Sequence, residues 1–169
     1  MRLNKPKKFL YHDEALCMGC HSCEVACKME HDLPAGVNRV RIVTEGPTVV
    51  KGKLELTYKR IRCMHCPRPP CIKVCPTNAI KKRPDGIVYI DKSLCTGCQS
   101  CAEVCPYDAI DFHPYQNWAE ICDLCVERLD EGLPPFCIKH CMSGAMFFGT
   151  EEEFKQRKQK IAAARGGKI

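Results

Sequence analysis

The sixteen cysteines of this 169-residue chain limit its folding more than any other feature, because all of them fall into four groups of similar spacing. Group one, CMGCHSCEVAC, holds Cys17, Cys20, Cys23 and Cys27, separated by two, two and three residues. Group two, CMHCPRPPCIKVC, holds Cys63, Cys66, Cys71 and Cys75, with spacers of two, four and three. Group three, CTGCQSCAEVC, returns to two, two and three with Cys95, Cys98, Cys101 and Cys105. Group four, CDLCVERLDEGLPPFCIKHC, holds Cys122, Cys125, Cys137 and Cys141, with spacers of two, eleven and three. No cysteine is left over. A two-residue spacer wraps the chain tightly around a centre, and Gly19 and Gly97, second spacer residues of groups one and three, permit the close turn this needs.

Cysteine usage this high has three chemical readings: disulfides, zinc and iron–sulfur clusters. Disulfides go with an oxidising compartment and a secretory leader. The basic N-terminus MRLNKPKKFLYHDEALC has no apolar run of leader length. Zinc sites join Cys-x2-Cys pairs and do not need a third cysteine two residues on and a fourth three beyond it. The spacings fit [4Fe-4S] cubes, and group three, closing on Pro106, resembles the full bacterial ferredoxin run. Cubes also change the charge argument. A formal net charge of +6 suggests nucleic acid until the bound metal is counted. An oxidised cube with four thiolates carries about −2, so four of them turn +6 into about −2 and leave basic residues around anionic clusters. No segment approaches the ~20 apolar residues of a membrane span. The expectation is a soluble chain in a reducing, cytoplasmic compartment, with export as the folded passenger of a partner subunit left open.

An internal repeat surrounds the groups. CPTNAI at Cys75 is echoed by CPYDAI at Cys105 and by CMSGAM at Cys141, and each leads into a strand pattern, GIVYI, IDFH and MFFG. A strand, a cysteine loop, a short helix or turn leaving at the fourth cysteine, and another strand make one ferredoxin half. The predicted fold class is therefore α+β: two bacterial-ferredoxin-like units nested in sequence, an inserted β-hairpin and a C-terminal helix. Residues 63–105, with groups two and three, form the inner unit. Residues 1–62 and 106–149, with groups one and four, form the outer one. Alternating apolar and charged residues with turn signals at EGP and KG predict the hairpin at about 38–61, as a strand pair covering a cluster. Residues 150–169 read as a helix and tail: a capping box at Thr150 and Glu153, early acids, late bases and a Gly-Gly stop. Its thin apolar face, Phe154, Ile161, Ala162 and Ala164, suits a surface helix.

Trp118 is expected in core packing. His21, His65 and His140 lie inside cysteine groups; with sixteen cysteines available they are expected beside clusters or at the surface rather than as ligands. Lys28, Lys73 and Lys139 flank ligand cysteines and either offset cluster charge or are solvated. There is no nucleotide loop, flavin fingerprint or acid–base constellation, so no catalytic residue is expected. A globule of this length has a radius of gyration of about 15 Å, which makes four cubes close neighbours and the chain a wire for single electrons.

With CPRPPC in group two and CDLC…PPFCIKHC in group four, the chain from Leu10 to Gly149 resembles the four-cluster electron-transfer subunits of dimethyl-sulfoxide-reductase-type molybdenum enzymes. The resemblance implies two ferredoxin-like units, four [4Fe-4S] clusters, a large pterin-containing catalytic partner and a further redox subunit or carrier. It implies no nucleic-acid binding and no direct membrane insertion. In two-cluster ferredoxins the fourth cysteine of a run serves the other cluster. By that likeness the ligand sets are crossed: Cys17, Cys20, Cys23 and Cys141 for cluster A; Cys27, Cys122, Cys125 and Cys137 for cluster B; Cys63, Cys66, Cys71 and Cys105 for cluster C; Cys75, Cys95, Cys98 and Cys101 for cluster D. Two positions depart from the family pattern, Lys28 and Met142 standing where proline is usual. The brevity of the sequence and CMGCHSCEVACKMEHDLPAG look more like the small subunits of tungsten aldehyde oxidoreductase and benzoyl-CoA reductase complexes, and that type is the expected partner. Formate dehydrogenase or hydrogenase complexes, and a free polyferredoxin shuttle, are the alternatives.

Overall fold

The computed structural model describes residues 7–164. The strands form four separate two-stranded antiparallel sheets. Strand β1 (Phe9–His12) pairs with β8 (Met146–Gly149), setting Leu10 opposite Phe148 and His12 opposite Met146. This ladder brings the approach to group one beside the exit from group four. Strands β4 (Ile80–Lys82) and β5 (Val88–Ile90) pair behind group two, and β6 (Asp111–Phe112) and β7 (Ala119–Glu120) pair behind group three. GIVYI, IDFH and MFFG all contain strands where alternation predicts them, though IDFH yields only two residues.

The cysteine loops repeat one backbone device. The second spacer residue of each opening Cys-x2-Cys is left-handed: Gly19 (φ 66°), His65 (48°), Gly97 (67°) and Leu124 (60°). Gly97 has a second reason to lack a side chain, since a Cβ there would lie 3.0 Å from the Asn117 carbonyl oxygen. A matching left-handed residue follows three places after three of the closing cysteines: Asn78 (54°), Asp108 (47°) and Gly144 (66°). Each returns its N–H to the carbonyl of that cysteine, so the CPTN, CPYD and CMSG turns are one structure written three ways.

Helix α1 (Ser22–His31) starts one residue before the third cysteine of its group and places Cys23 and Cys27 one turn apart on its buried side. Helix α3 (Ser100–Glu103) does the same around Cys101. At Cys75, Cys105 and Cys141 a turn begins at the fourth cysteine, as expected, while in every group a helix also begins just ahead of the third. Pro106 stands after the short α3, whereas Lys28, with its N–H intact, lets α1 continue for ten residues. Proline also opens α2 (Pro70–Val74) in group two. In group four, α4 (Val126–Asp130) fills the eleven-residue spacer and α5 (Phe136–Lys139) carries Cys137. α1 packs on α5, and α2 on α3.

Two cores result. One gathers Leu10, Cys23, Ile42, Leu124, Cys137 and Met146; the other gathers Ile80, Val88, Cys101, Ile110, Ala119 and Ile121. The hairpin is β2 (Val40–Val50) and β3 (Lys53–Arg62). Its turn is Lys51–Gly52, both left-handed, as the KG signal predicts. The EGP signal marks instead a register shift inside β2, between Glu45 and Thr48. Only the base of the hairpin is buried, through Val40, Ile42 and Arg62. Helix α6 (Glu151–Ala164) is exposed and rests on Tyr11, whose ring stacks on Phe154 at 4.6 Å. The capping box closes in both directions: Glu153 N–H donates to Thr150 Oγ1 at 3.2 Å, and Thr150 N–H donates to Glu153 Oε2 at 2.7 Å. The Gly-Gly stop lies outside the described residues. Thr150→Ala should weaken this helix start by about 1 kcal/mol, roughly a fivefold gain in amide exchange across the first turn of α6 with the cysteine loops unaffected. Hydrogen–deuterium exchange of the full chain measures it.

Candidate metal centre

Four cavities open among the cysteine loops, and each is lined by four of the sixteen thiols. Cys17, Cys20, Cys23 and Cys141 line the first, and Cys27, Cys122, Cys125 and Cys137 the second. Cys63, Cys66, Cys71 and Cys105 line the third, and Cys75, Cys95, Cys98 and Cys101 the fourth. Each cavity takes three cysteines from one group and the last from the paired group. The exchange has a local cause. In groups one and three the αL residues at the start of the helix, His21 and Gln99, turn the chain so that the helix axis leaves the loop. The first three sulfurs stay with the loop and the fourth is carried to the neighbour.

The cavity walls are otherwise mostly apolar: Ile80, Val88 and Ile121 beside the third, and Leu10, Val40 and Leu124 beside the second. All sixteen thiols are free, which excludes the disulfide reading for this structure. Among the described residues no three Cys, His, Asp or Glu side chains converge as closely as one ion requires. Around zinc, with Zn–S near 2.3 Å, the sulfurs would lie about 3.8 Å apart. Four thiols spread around a shared cavity suit a cube, whose own edges separate its ligands.

All four thiols of the second cavity are buried, whereas the first and the fourth each have one exposed thiol and the third has only half-buried ones. Burial pushes the Cys137, Cys125 and Cys63 thiols up to about 12 each, and Cys27 further still. Cys20 and Cys98 are exposed, and both are lowered, Cys20 first by the Ser22 hydroxyl and Cys98 first by the Ser100 backbone N–H. The thiols also act on one another across cavities. Cys23 raises Cys137, Cys122 raises Cys63, and Cys71 raises Cys101. Packing shows the same adjacency: Cys23 shares a core with Cys122 and Cys137, Cys63 packs against that core, and Cys63 and Cys71 pack against the core that holds Cys101.

Residues 54–151 match a family model described as a 4Fe-4S dicluster domain, and residues 16–79 match a second model of the same description. The B subunit of Wolinella succinogenes polysulfide reductase is 36% identical over 162 residues, covering 94% of this protein and 85% of the relative. The thiosulfate reductase electron transfer subunit PhsB of Salmonella typhi is 38% identical over 146 residues, 85% of this protein and 76% of its own length. YnfG of Escherichia coli, a probable anaerobic dimethyl sulfoxide reductase subunit, is 37% identical over 158 residues, 89% and 77%. The chain belongs to the dimethyl-sulfoxide-reductase iron–sulfur subunit family. It carries four [4Fe-4S] clusters, and as an electron-transfer subunit it is not itself catalytic. These relatives are chains of reductases of sulfur compounds, and the expected tungsten aldehyde oxidoreductase type gains no support from them.

In this iron–sulfur subunit the non-cysteine candidates fall in varied places. His21 is exposed, 3.1 Å from Glu24, and His140 is exposed beside Phe136. His65 is buried: its Nδ1 accepts the Val88 N–H at 2.9 Å, so its proton sits on Nε2, which has no partner. Lys28 donates to the carbonyls of Pro34 and Val37, and Lys73 and Lys139 are solvated. Trp118 is half-buried rather than in the core, with Lys92 4.9 Å from its ring centre and its Nε1–H donating to Glu120 at 2.9 Å. Glu120 is the centre of that corner. It is 1% exposed and also holds Arg39 and Lys92, each at 2.7 Å. Arg39 in turn reaches Asp123 at 2.9 Å, beside Cys122. Sequence reasoning missed this network, and it missed His31, whose Nε2 lies 3.4 Å from Cys125 Sγ. No local pattern marks either, because Arg39 lies 81 residues from Glu120 and His31 lies 94 from Cys125. Removing one partner of a buried ion pair costs about 3–5 kcal/mol. Glu120→Ala should therefore lower the unfolding midpoint markedly, measured by anaerobic denaturant titration with loss of the brown cluster colour.

Proposed function

We propose that the protein is a four-cluster electron wire with crossed ligand sets. Cluster A takes Cys17, Cys20, Cys23 and Cys141; cluster B takes Cys27, Cys122, Cys125 and Cys137. Cluster C takes Cys63, Cys66, Cys71 and Cys105; cluster D takes Cys75, Cys95, Cys98 and Cys101. The observation that supports this most is the lining of the four cavities by these same quartets. The order A–B–C–D is supported by the packing of Cys23, Cys122, Cys137 and Cys63 in one core and of Cys63, Cys71 and Cys101 in the other, and its two ends coincide with exposed Cys20 and Cys98. The units are nested as groups one with four and two with three. Their boundary is best drawn after Ile121, since Ile110, Ala119 and Ile121 join the core of groups two and three.

The partner is a large pterin-containing reductase subunit of the molybdenum type, acting on a small oxidised sulfur compound or a similar acceptor. The names of the relatives support that class over an aldehyde oxidoreductase. One end of the wire faces the partner's cofactor and the other meets a further redox subunit or carrier. Among the described residues no helix is long and apolar enough to cross a membrane. The clusters supply one-electron storage. The protein sets their spacing, excludes water from cluster B, and offers donors such as the Ala119 N–H, 3.4 Å from Cys95 Sγ.

Fully loaded, anaerobically purified protein should contain sixteen iron and sixteen acid-labile sulfide. Stoichiometric zinc with little iron would refute the reading. Cys141→Ser should remove the spectroscopic signal of the same cluster as Cys20→Ser, although the two residues lie in different groups; loss of different signals would exclude the crossed sets. Cys98→Ser in the assembled complex should lower electron flow to the downstream acceptor while leaving the partner's pterin content unchanged. A wild-type rate with cluster D shown to be missing would refute the wire.

A further inference from the structure

Three arginine guanidinia lie near the cavities, those of Arg39 and Arg62 buried and that of Arg60 half-buried, and among the described residues only Arg39 has a carboxylate partner. Arg39 is neutralised by Glu120 and Asp123. Arg60 and Arg62 are alternate residues of β3, so both project from one face of the hairpin base into the protein. Their partners among the described residues are neutral. Arg60 donates to the Leu10 carbonyl at 3.2 Å and meets the Met146 sulfur at 2.7 Å. Arg62 donates to the carbonyls of Leu10 and Cys63. The Nε of each is buried without a partner among the described residues. Arginine does not shed its proton in a protein, so both are cations, and a buried cation lacking counter-charge costs several kcal/mol.

Their surroundings locate the missing negative charge. Met146 lines the cavity of cluster A, Leu10 that of cluster B, and Cys63 that of cluster C. Burial and Arg62 lower the Arg60 guanidinium to about 10, while the sulfurs of Cys137, Cys122 and Cys23 pull the other way. We propose that Arg60, between clusters A and B, and Arg62, between clusters B and C, are the internal counter-charges of these clusters and raise their reduction potentials. One-electron reduction takes a cube with its four thiolates from about −2 to about −3, and a fixed cation stabilises the more negative state more, the more so where water is excluded. The electron comes from the redox partner and no proton is required. Cluster B borders both cations and receives the larger effect. Lys92, near cluster D, is already bound to Glu120 and contributes little there.

This inference rests on the crossed ligand sets proposed above. The test is a potentiometric titration of the iron-loaded full chain with an external one-electron reductant, the clusters resolved by electron paramagnetic resonance. Arg60→Gln should lower the reduction equilibrium of A and B at least tenfold, about 59 mV for one electron. Clusters C and D should stay within a fraction of that. Arg62→Gln should shift B and C instead, and Arg60→Lys should restore most of the wild-type values. Four retained clusters with unmoved midpoints, or an equal shift of all four, would overturn the inference while leaving the ligand sets standing. If Arg60→Gln does not hold its clusters, Arg62→Gln and Arg60→Lys decide: a loaded Arg62→Gln protein with unmoved B and C overturns the inference. Failure of the ligand sets shows separately, in the Cys141→Ser and Cys20→Ser comparison.

Discussion

Each of the four cysteine-lined cavities is closed by a cysteine borrowed from another group, and the rest of the architecture serves that exchange. A helix must start inside each run so that the fourth sulfur leaves the loop holding the first three. The paired helix must then arrive from the other group, which is why α1 meets α5 and α2 meets α3. The β1–β8 ladder fixes the ends so that Cys141 can reach a loop more than a hundred residues earlier in the sequence. The sheets are small because little else is asked of them.

Hydrophobic burial alone gives the protein a thin core. Five of its sixteen cysteines, Cys23, Cys27, Cys122, Cys125 and Cys137, are buried in the half built from groups one and four, where ordinary proteins place aliphatic side chains. Burial pushes up the thiols of Cys23, Cys27, Cys125 and Cys137, so metal must displace protons to bind there, and binding and folding become linked. If the clusters are their counter-charges, as proposed, Arg60 and Arg62 add to that dependence, since neither pairs with a carboxylate among the described residues.

Much of this was legible in the sequence because cysteine spacing encodes local geometry. The four groups, the strands after CPTNAI, CPYDAI and CMSGAM, the KG turn and the Thr150–Glu153 cap all follow from residues within one turn or one hairpin of each other. The left-handed turns at His65 and Leu124 were hidden, because glycine marks that conformation only in the other two groups. Glu120, Arg39, Arg60 and Arg62 were hidden for another reason. A charged residue on a short strand looks solvated until the tertiary fold covers it. The alternation Tyr58, Arg60, Arg62 against Lys59, Ile61 was readable as one face of β3, yet nothing local says that the arginine face is the inner one.

The lining of the cavities also sets an order in time. A polypeptide emerging from its N-terminus has all four sulfurs of the Cys75–Cys101 cavity once residue 101 is made, and those of the Cys63–Cys105 cavity four residues later. The Cys27–Cys137 cavity is complete only after residue 137, and the Cys17–Cys141 cavity, begun first, is finished last. The binding sites thus mature one neighbour at a time along the row, and the first loop to be synthesised waits for nearly the whole protein before its fourth sulfur exists.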